Sequence, residues 1–150
     1  MLHVPPPERA LVVECGDGEA ALLIAREFPA ARVRGVDRSE ALVRAAQARV
    51  GLDPEGRVAF KAGKPGGLPY PDDFFDLVAQ VDTHPAPAEV ARVLRPGAHL
   101  VLARSRPPGL AAGIRERRLQ RRLARQGIVP VQAEDAGNGN FFVGQLAKDG

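Results

Sequence analysis

The sequence predicts an α/β domain: a doubly wound, mostly parallel sheet that ends in an antiparallel hairpin. Three observations carry this expectation. Short β-branched runs alternate with stretches of helical periodicity over the first two thirds of the chain. Such strand–helix–strand alternation makes a parallel sheet with helices on both faces and right-handed crossovers. The last two runs are separated by a short Asn/Gly segment instead of a helix, which turns the chain back on itself. With 150 residues, 45% of them apolar, the chain is long enough to bury a sizeable core and is expected to form one domain, 1–150.

The elements follow in order. Pro5–Pro7 form an extended lead-in, and RALVVECG (Arg9–Gly16) reads as the first strand. GEAALLIAREF places Ala21, Leu22, Ala25 and Phe28 at helical spacing. ARVRGVD (Ala31–Asp37) is the second strand. SEALVRAAQARV is the next helix, with Ser39 as N-cap and Leu42, Val43, Ala46 and Val50 on its apolar face. GRVAFKAG (Gly56–Gly63), FDLVAQV (Phe75–Val81) and AHLVLARS (Ala98–Ser105) supply three more strands. RPPG then breaks the chain, a long helix runs from about Leu110 to Gln126, and Gly127 ends it. IVPVQAED and NFFVGQLAK form the hairpin around Ala136–Asn140.

Composition narrows the class. No run of about 18 apolar residues is present, so no membrane span is expected. The opening MLHVPPPERA lacks the basic-then-apolar pattern of a signal peptide. The single cysteine, Cys15, excludes an internal disulfide and fits a reducing cytoplasm; at a strand–turn junction it suits a small buried filler better than a reactive thiol. No Cys/His cluster has metal-ligand spacing, so no metal is expected.

The chemistry concentrates in VVECGDGEA. Gly16 and Gly18 allow a tight turn and close approach of a ligand, and the helix that follows offers free N–H groups with a partial positive charge. Asp37 ends the next strand about 20 residues on, where an acid can accept both hydroxyls of a ribose. Gly16, Gly18 and Ala21 also meet a loose dinucleotide fingerprint, and the same residues suit a plain turn with Asp37 capping the next helix. The acids decide between cofactors. Glu14 closes the strand and Asp17 lies between the glycines, so a pyrophosphate is repelled, whereas a ligand carrying an ammonium and a sulfonium is not.

VVECGDGEA, VRGVDRS, LPYPDDFFDLV and RVLRPGAHLVLA, in that order, resemble the successive motifs of class I S-adenosylmethionine-dependent methyltransferases, from Ala10 to about Ala103. The resemblance implies a Rossmann-like, seven-stranded sheet with its last strand antiparallel, and S-adenosylmethionine as cofactor. By the same resemblance Glu14, Gly16 and Gly18, with Asp17 between them, surround the methionine portion. Asp37 holds the ribose hydroxyls, Arg38 lies beside the adenine, and Ala62, Gly63 and Lys64 border its edge. Val81 and Asp82 face the reacting end.

The sequence departs from the family pattern in three ways. Ala20 replaces the usual third glycine. Lys64 stands where an Asp often accepts from the adenine amino group, and Lys can only donate. Few residues precede the first strand, and QVDTHPAPAEVA leaves room for a helix of only about two turns before the fifth strand. The lid that relatives build from N-terminal helices is therefore expected from a second copy or a partner chain. His84, after the fourth strand, is the candidate general base, since an imidazole titrates near neutral pH; a plain loop histidine ahead of a Pro-rich turn is the other option.

In GLAAGIRERRLQRRLARQ, Ala112, Glu116, Leu119 and Leu123 share one face, and Arg115, Arg118, Arg122 and Arg125 mark another, widened by Arg117 and Arg121. A solvated basic face is the simpler expectation, and a dock for RNA, an acidic substrate or a partner the alternative. Net charge is only +3 and no aromatic residue interleaves with these arginines, so nucleic acid is disfavoured. The function expected is methyl transfer to a small molecule. A non-catalytic methyltransferase-like binding domain is the alternative, and a nicotinamide-dependent oxidoreductase is disfavoured by Glu14, Asp17 and RVLRPGA.

Overall fold

Strand β1 (Arg9–Val13) lies at the centre of the sheet, and its composition explains why: Ala10 to Val13 form an unbroken apolar run with each side chain at most 2% exposed. It is flanked in parallel by β2 (Arg32–Asp37) and β4 (Phe75–Val81). The computed structural model describes residues 4–105, 110–136 and 139–148. His3, the RPPG break at 106–109 and the centre of the hairpin turn, 137–138, lie outside the described residues. The full sheet adds β3 (Val58–Ala62), β5 (Leu94–Arg104), β6 (Ile128–Ala136) and β7 (Gly139–Leu146) in the order β3-β2-β1-β4-β5-β7-β6. Six strands run in one direction, while β7 is antiparallel to its neighbours β5 and β6. This is the seven-stranded, Rossmann-like sheet expected from the sequence. Strand order reverses between β1 and β4, which opens a crevice at their carboxyl ends.

Helices α1 (Glu19–Glu27) and α2 (Glu40–Val50) cover one face; α3 (Pro87–Val93) and α4 (Leu110–Arg125) cover the other. On the first face Ala21, Ala25 and Ala46 are the buried helix residues, and such small side chains let the helices sit close to the strands. Leu42, expected on the buried face of α2, is 39% exposed. Helix α2 packs mainly on β3, the edge strand, so part of its apolar stripe overhangs the sheet. Ser39 is the N-cap, as expected: its Oγ accepts from the backbone N of Leu42 at 3.2 Å. On the second face Val90, Val93, Leu119 and Leu123 are buried and Glu116 is half-buried; the side chain of Ala112 lies outside those described. Phe75, Leu11, Leu94, Leu100, Leu123 and Ile128 are fully buried, each contributing about 1.5–3 kcal/mol.

Strand β5 starts earlier than the sequence suggests. Leu94 already pairs with Phe75, and the next pair is Leu77 with His99, so Arg95–Ala98 bulge out of register. The bulge accommodates Pro96, which has no N–H, and Gly97, whose φ of +86° is in the left-handed region. Helix α3 has seven residues, the two turns expected, and begins with Pro87 at its first position. Among the described residues no helix is long and apolar enough to cross a membrane.

Candidate cofactor crevice

Three loops meet at the carboxyl edge of β1, β2 and β4. The first, 14–18, leaves β1 through two left-handed residues, Glu14 at φ 54° and Gly16 at φ 55°. Cys15 N donates to Val36 O at 3.0 Å, which keeps the loop on β2, and Gly18 N donates to Cys15 O at 3.0 Å, which closes the turn. The two glycines do different work. A Cβ on Gly18 would meet Ala46 Cβ and Phe60 Cζ at 3.0 Å, so Gly18 packs the loop onto α2 and β3. A Cβ on Gly16 would meet nothing within 4 Å, so Gly16 leaves an open floor. Gly18 caps α1 with no side-chain hydrogen bond, leaving first-turn N–H groups available.

Asp37 ties the loops together. Its side chain, at the end of β2, is buried; Oδ2 accepts from Gly16 N at 3.0 Å and Oδ1 from Ser39 N at 2.9 Å. Its backbone O accepts from Gly63 N at 2.9 Å, which brings the loop after β3 alongside. A carboxylate has about four acceptor sites, so these two bonds leave acceptor capacity for a ligand. Asp37 makes no ion pair among the described residues.

The two acids of the first loop are differently placed. Glu14 pairs with Arg38 at 3.0 Å, and Asp17 pairs with Arg49 of α2 at 3.1 Å. Both are balanced by a neighbouring guanidinium, whereas Asp37 has no such partner among the described residues. Arg49 was not singled out in the sequence, because only the fold returns the end of α2 to the 14–18 loop. Cys15 is buried, and its thiol is pushed up to about 11, first by burial and then by the charge of Asp37. It therefore stays protonated near neutral pH, as a packing residue does.

The loop after β3 is a turn in which Gly67 N donates to Lys64 O at 3.0 Å, with the Lys64 side chain exposed. Gly63 sits tightly: a Cβ there would approach Val36 Cγ2 to 2.8 Å. Tyr70, farther along, packs edge-on against Phe75 with ring centroids 5.0 Å apart, so it anchors the connection.

After β4, Val81 is 43% exposed at the strand end. Asp82, at φ 56°, is tied to β5: its carboxylate accepts from Ser105 N and from Ser105 Oγ, both at 2.7 Å. His84 is exposed two residues later. Thr83 between them is clamped from two sides. Gln80 Nε2 donates to Thr83 Oγ1 at 2.8 Å, and Arg104 donates to Thr83 O while its Nε holds Glu116 at 2.9 Å. Gln80 is fully buried, and a polar residue inside the apolar run FDLVAQV was the available signal for this clamp. The structure thus joins Gly16, Asp37 and Gly63 in one hydrogen-bonded cluster. Val81, Asp82 and His84 stand on the neighbouring strand end.

A family profile described as a methyltransferase domain matches residues 10–97, from β1 into the β5 bulge. A ubiquinone/menaquinone biosynthesis C-methyltransferase of Geobacter sulfurreducens is 36% identical over 103 residues, covering 63% of this chain and 40% of that protein. A phthiotriol/phenolphthiotriol dimycocerosates methyltransferase of Mycobacterium ulcerans is 36% identical over 110 residues, covering 67% of this chain and 38% of that protein. The chain therefore spans about two fifths of the length of these curated relatives. A SAM-dependent methyltransferase structure from Aquifex aeolicus superposes with a TM-score of 0.78 at 18% identity, covering 93% of this chain and 82% of that one. With the profile matching more than half of its length and the sheet order in agreement, the chain belongs to the class I S-adenosylmethionine-dependent methyltransferase family.

Proposed function

We propose that the chain binds S-adenosylmethionine in the crevice above β1, β2 and β4 and directs its methyl group to a small-molecule acceptor at the loop after β4. The observation that carries this is Asp37: a buried carboxylate at the end of β2, held by Gly16 N and Ser39 N, beside an open floor at Gly16. S-adenosylmethionine, when bound, supplies an electrophilic methyl group on a sulfonium sulfur.

The chain's own residues would hold and orient it. Asp37 would accept from the ribose hydroxyls. The floor at Gly16 and the first-turn N–H groups of α1 would receive the methionine carboxylate, and Glu14 its ammonium. Arg38, Gly63 and Lys64 would border the adenine, and Val81 the reacting end. His84 would take the acceptor's proton where one is released, with Asp82 and Thr83 holding its loop. Direct displacement depends on alignment and water exclusion more than on a strong base, so a cover supplied by a second copy or a partner chain belongs to this reading. The names of the relatives, a quinone C-methyltransferase and a dimycocerosate methyltransferase, support a small organic acceptor. The single, buried Cys15 fits work in the cytoplasm.

A binding domain without transfer is the second reading. Lys64 favours it, since an exposed lysine at the adenine edge offers only donors. Titration calorimetry with S-adenosylhomocysteine tests both. Binding that falls about a hundredfold in Asp37→Ala is expected, from two lost charge-assisted hydrogen bonds. No heat at millimolar ligand sinks the proposal, and binding indifferent to Asp37→Ala sinks the placement. Binding with no transfer of labelled methyl to any acceptor supports the second reading.

A further inference from the structure

We infer that α4 and the edge strand β6 form a docking groove for an acidic, amphipathic segment of a partner protein. Arg115, Arg117, Arg118, Arg121, Arg122 and Arg125 are all exposed, and among the described residues none of them makes an ion pair or hydrogen bond. The acid of this helix, Glu116, is turned inward onto Arg104 at 2.9 Å and neutralises none of them. Like charges three and four residues apart weaken a helix, and an anionic partner offsets that cost. Beside them lies a groove of about 590 Å³, lined by Ile114, Arg117, Gln120, Arg121, Ala124 and Pro130. Its floor is apolar and its rim is cationic. Ile114, in that floor, is 44% exposed.

The occupant follows by elimination. A second copy of the same face would set guanidiniums against guanidiniums. A bilayer is flat, and the apolar stripe that could enter it is spent on the sheet, with Leu119 6% and Leu123 0% exposed. Nucleic acid finds no aromatic side chain here for its bases to stack on. Strand addition to β6 is interrupted by Pro130 and the irregular register beside it. A helical segment that places apolar side chains between Ile114, Ala124 and Pro130, with carboxylates on Arg117 and Arg121, satisfies both floor and rim.

The test uses the full chain and a phage-displayed random peptide library, with each selected peptide resynthesised and its affinity measured by fluorescence polarisation. Selected peptides should carry Asp or Glu flanking Leu, Ile or Phe. Their affinity should fall about tenfold in Arg117→Glu/Arg121→Glu, and again on raising NaCl from about 50 to about 500 mM. Ile114→Asp should weaken binding as well, because the floor is apolar. Arg26→Glu/Arg44→Glu, exposed arginines on α1 and α2, should leave it unchanged. Thermal melts confirm that each variant is folded. Uncharged or basic selected peptides, or affinity indifferent to Arg117→Glu/Arg121→Glu or to Ile114→Asp, would overturn the inference. So would polyglutamate, a single-stranded RNA or phosphatidylglycerol vesicles binding more tightly than every selected peptide.

Discussion

Arg38 and Arg49, beside the crevice, each close on an acid of the 14–18 loop, whereas Arg118 and Arg122 on α4 close on nothing among the described residues. Arg57, at the opposite, amino-terminal end of the strands, spends its guanidinium on the backbone oxygens of Ala25 and Ala31 at 2.7 and 2.9 Å. In the crevice both acids of the loop are paired with a guanidinium, and Asp37 has no cationic partner among the described residues. On α4 the imbalance runs the other way. One region leaves a carboxylate without an ion pair, the other a row of guanidiniums. Charge counts alone hide this, because the whole chain carries only +3.

The largest break in the comparison should come from Asp37→Ala. Beyond its effect on ligand affinity, it strips Gly16 N and Ser39 N of their acceptor, and should lower unfolding free energy by about 1–3 kcal/mol in urea titration. The corresponding loss from deleting any one α4 arginine should be near zero. Gly35→Ala should cost about as much without touching charge, since its Cβ would fall 2.4 Å from Phe60 Cδ1 and the ring must move. A melt that is unchanged in Gly35→Ala would mean that the packing of β2 on β3 is looser than described.

Alkaline titration sharpens the crevice side. The Cys15 thiol is raised from 9.0 to about 11, so its contribution to stability is complete below pH 9 and is lost as the pH rises through 11. Denaturant midpoints should fall across that window in the native chain and fall less in Cys15→Ala. Arg38→Ala uncovers Glu14 and should favour the cationic S-adenosylmethionine over uncharged-sulfur S-adenosylhomocysteine by about twofold to fivefold in competition calorimetry. An unchanged ratio would place Glu14 away from the methionine tail. The smallest effect is expected on α4. Arg118→Glu replaces repulsion with attraction toward Arg115 and Arg122, and should raise the unfolding free energy by about 0.5 kcal/mol.

Most of the fold was legible because its signals are local. β-Branched runs marked the strands, Ser39 marked a helix start, and the Asn/Gly segment marked the hairpin. The start of β5 was not, because Pro96-Gly97 reads as a break, and only pairing with Phe75 shows the strand passing through it as a bulge. In the site, Gly16 and Asp37 were legible by spacing, and the structure joins them with a hydrogen bond. The pairing of Asp17 was not, since it depends on Arg49 being carried back from 32 residues away. The sequence therefore points to two free loop acids, whereas the folded crevice has one unpaired carboxylate.

That carboxylate is the centre of the account, and a crystal structure of the chain soaked with S-adenosylhomocysteine tests it most directly. The account predicts ribose hydroxyls within hydrogen-bond distance of Asp37, with the amino-acid tail passing over Gly16. Ligand density elsewhere on the molecule, or in the crevice with the ribose turned away from Asp37, would contradict it.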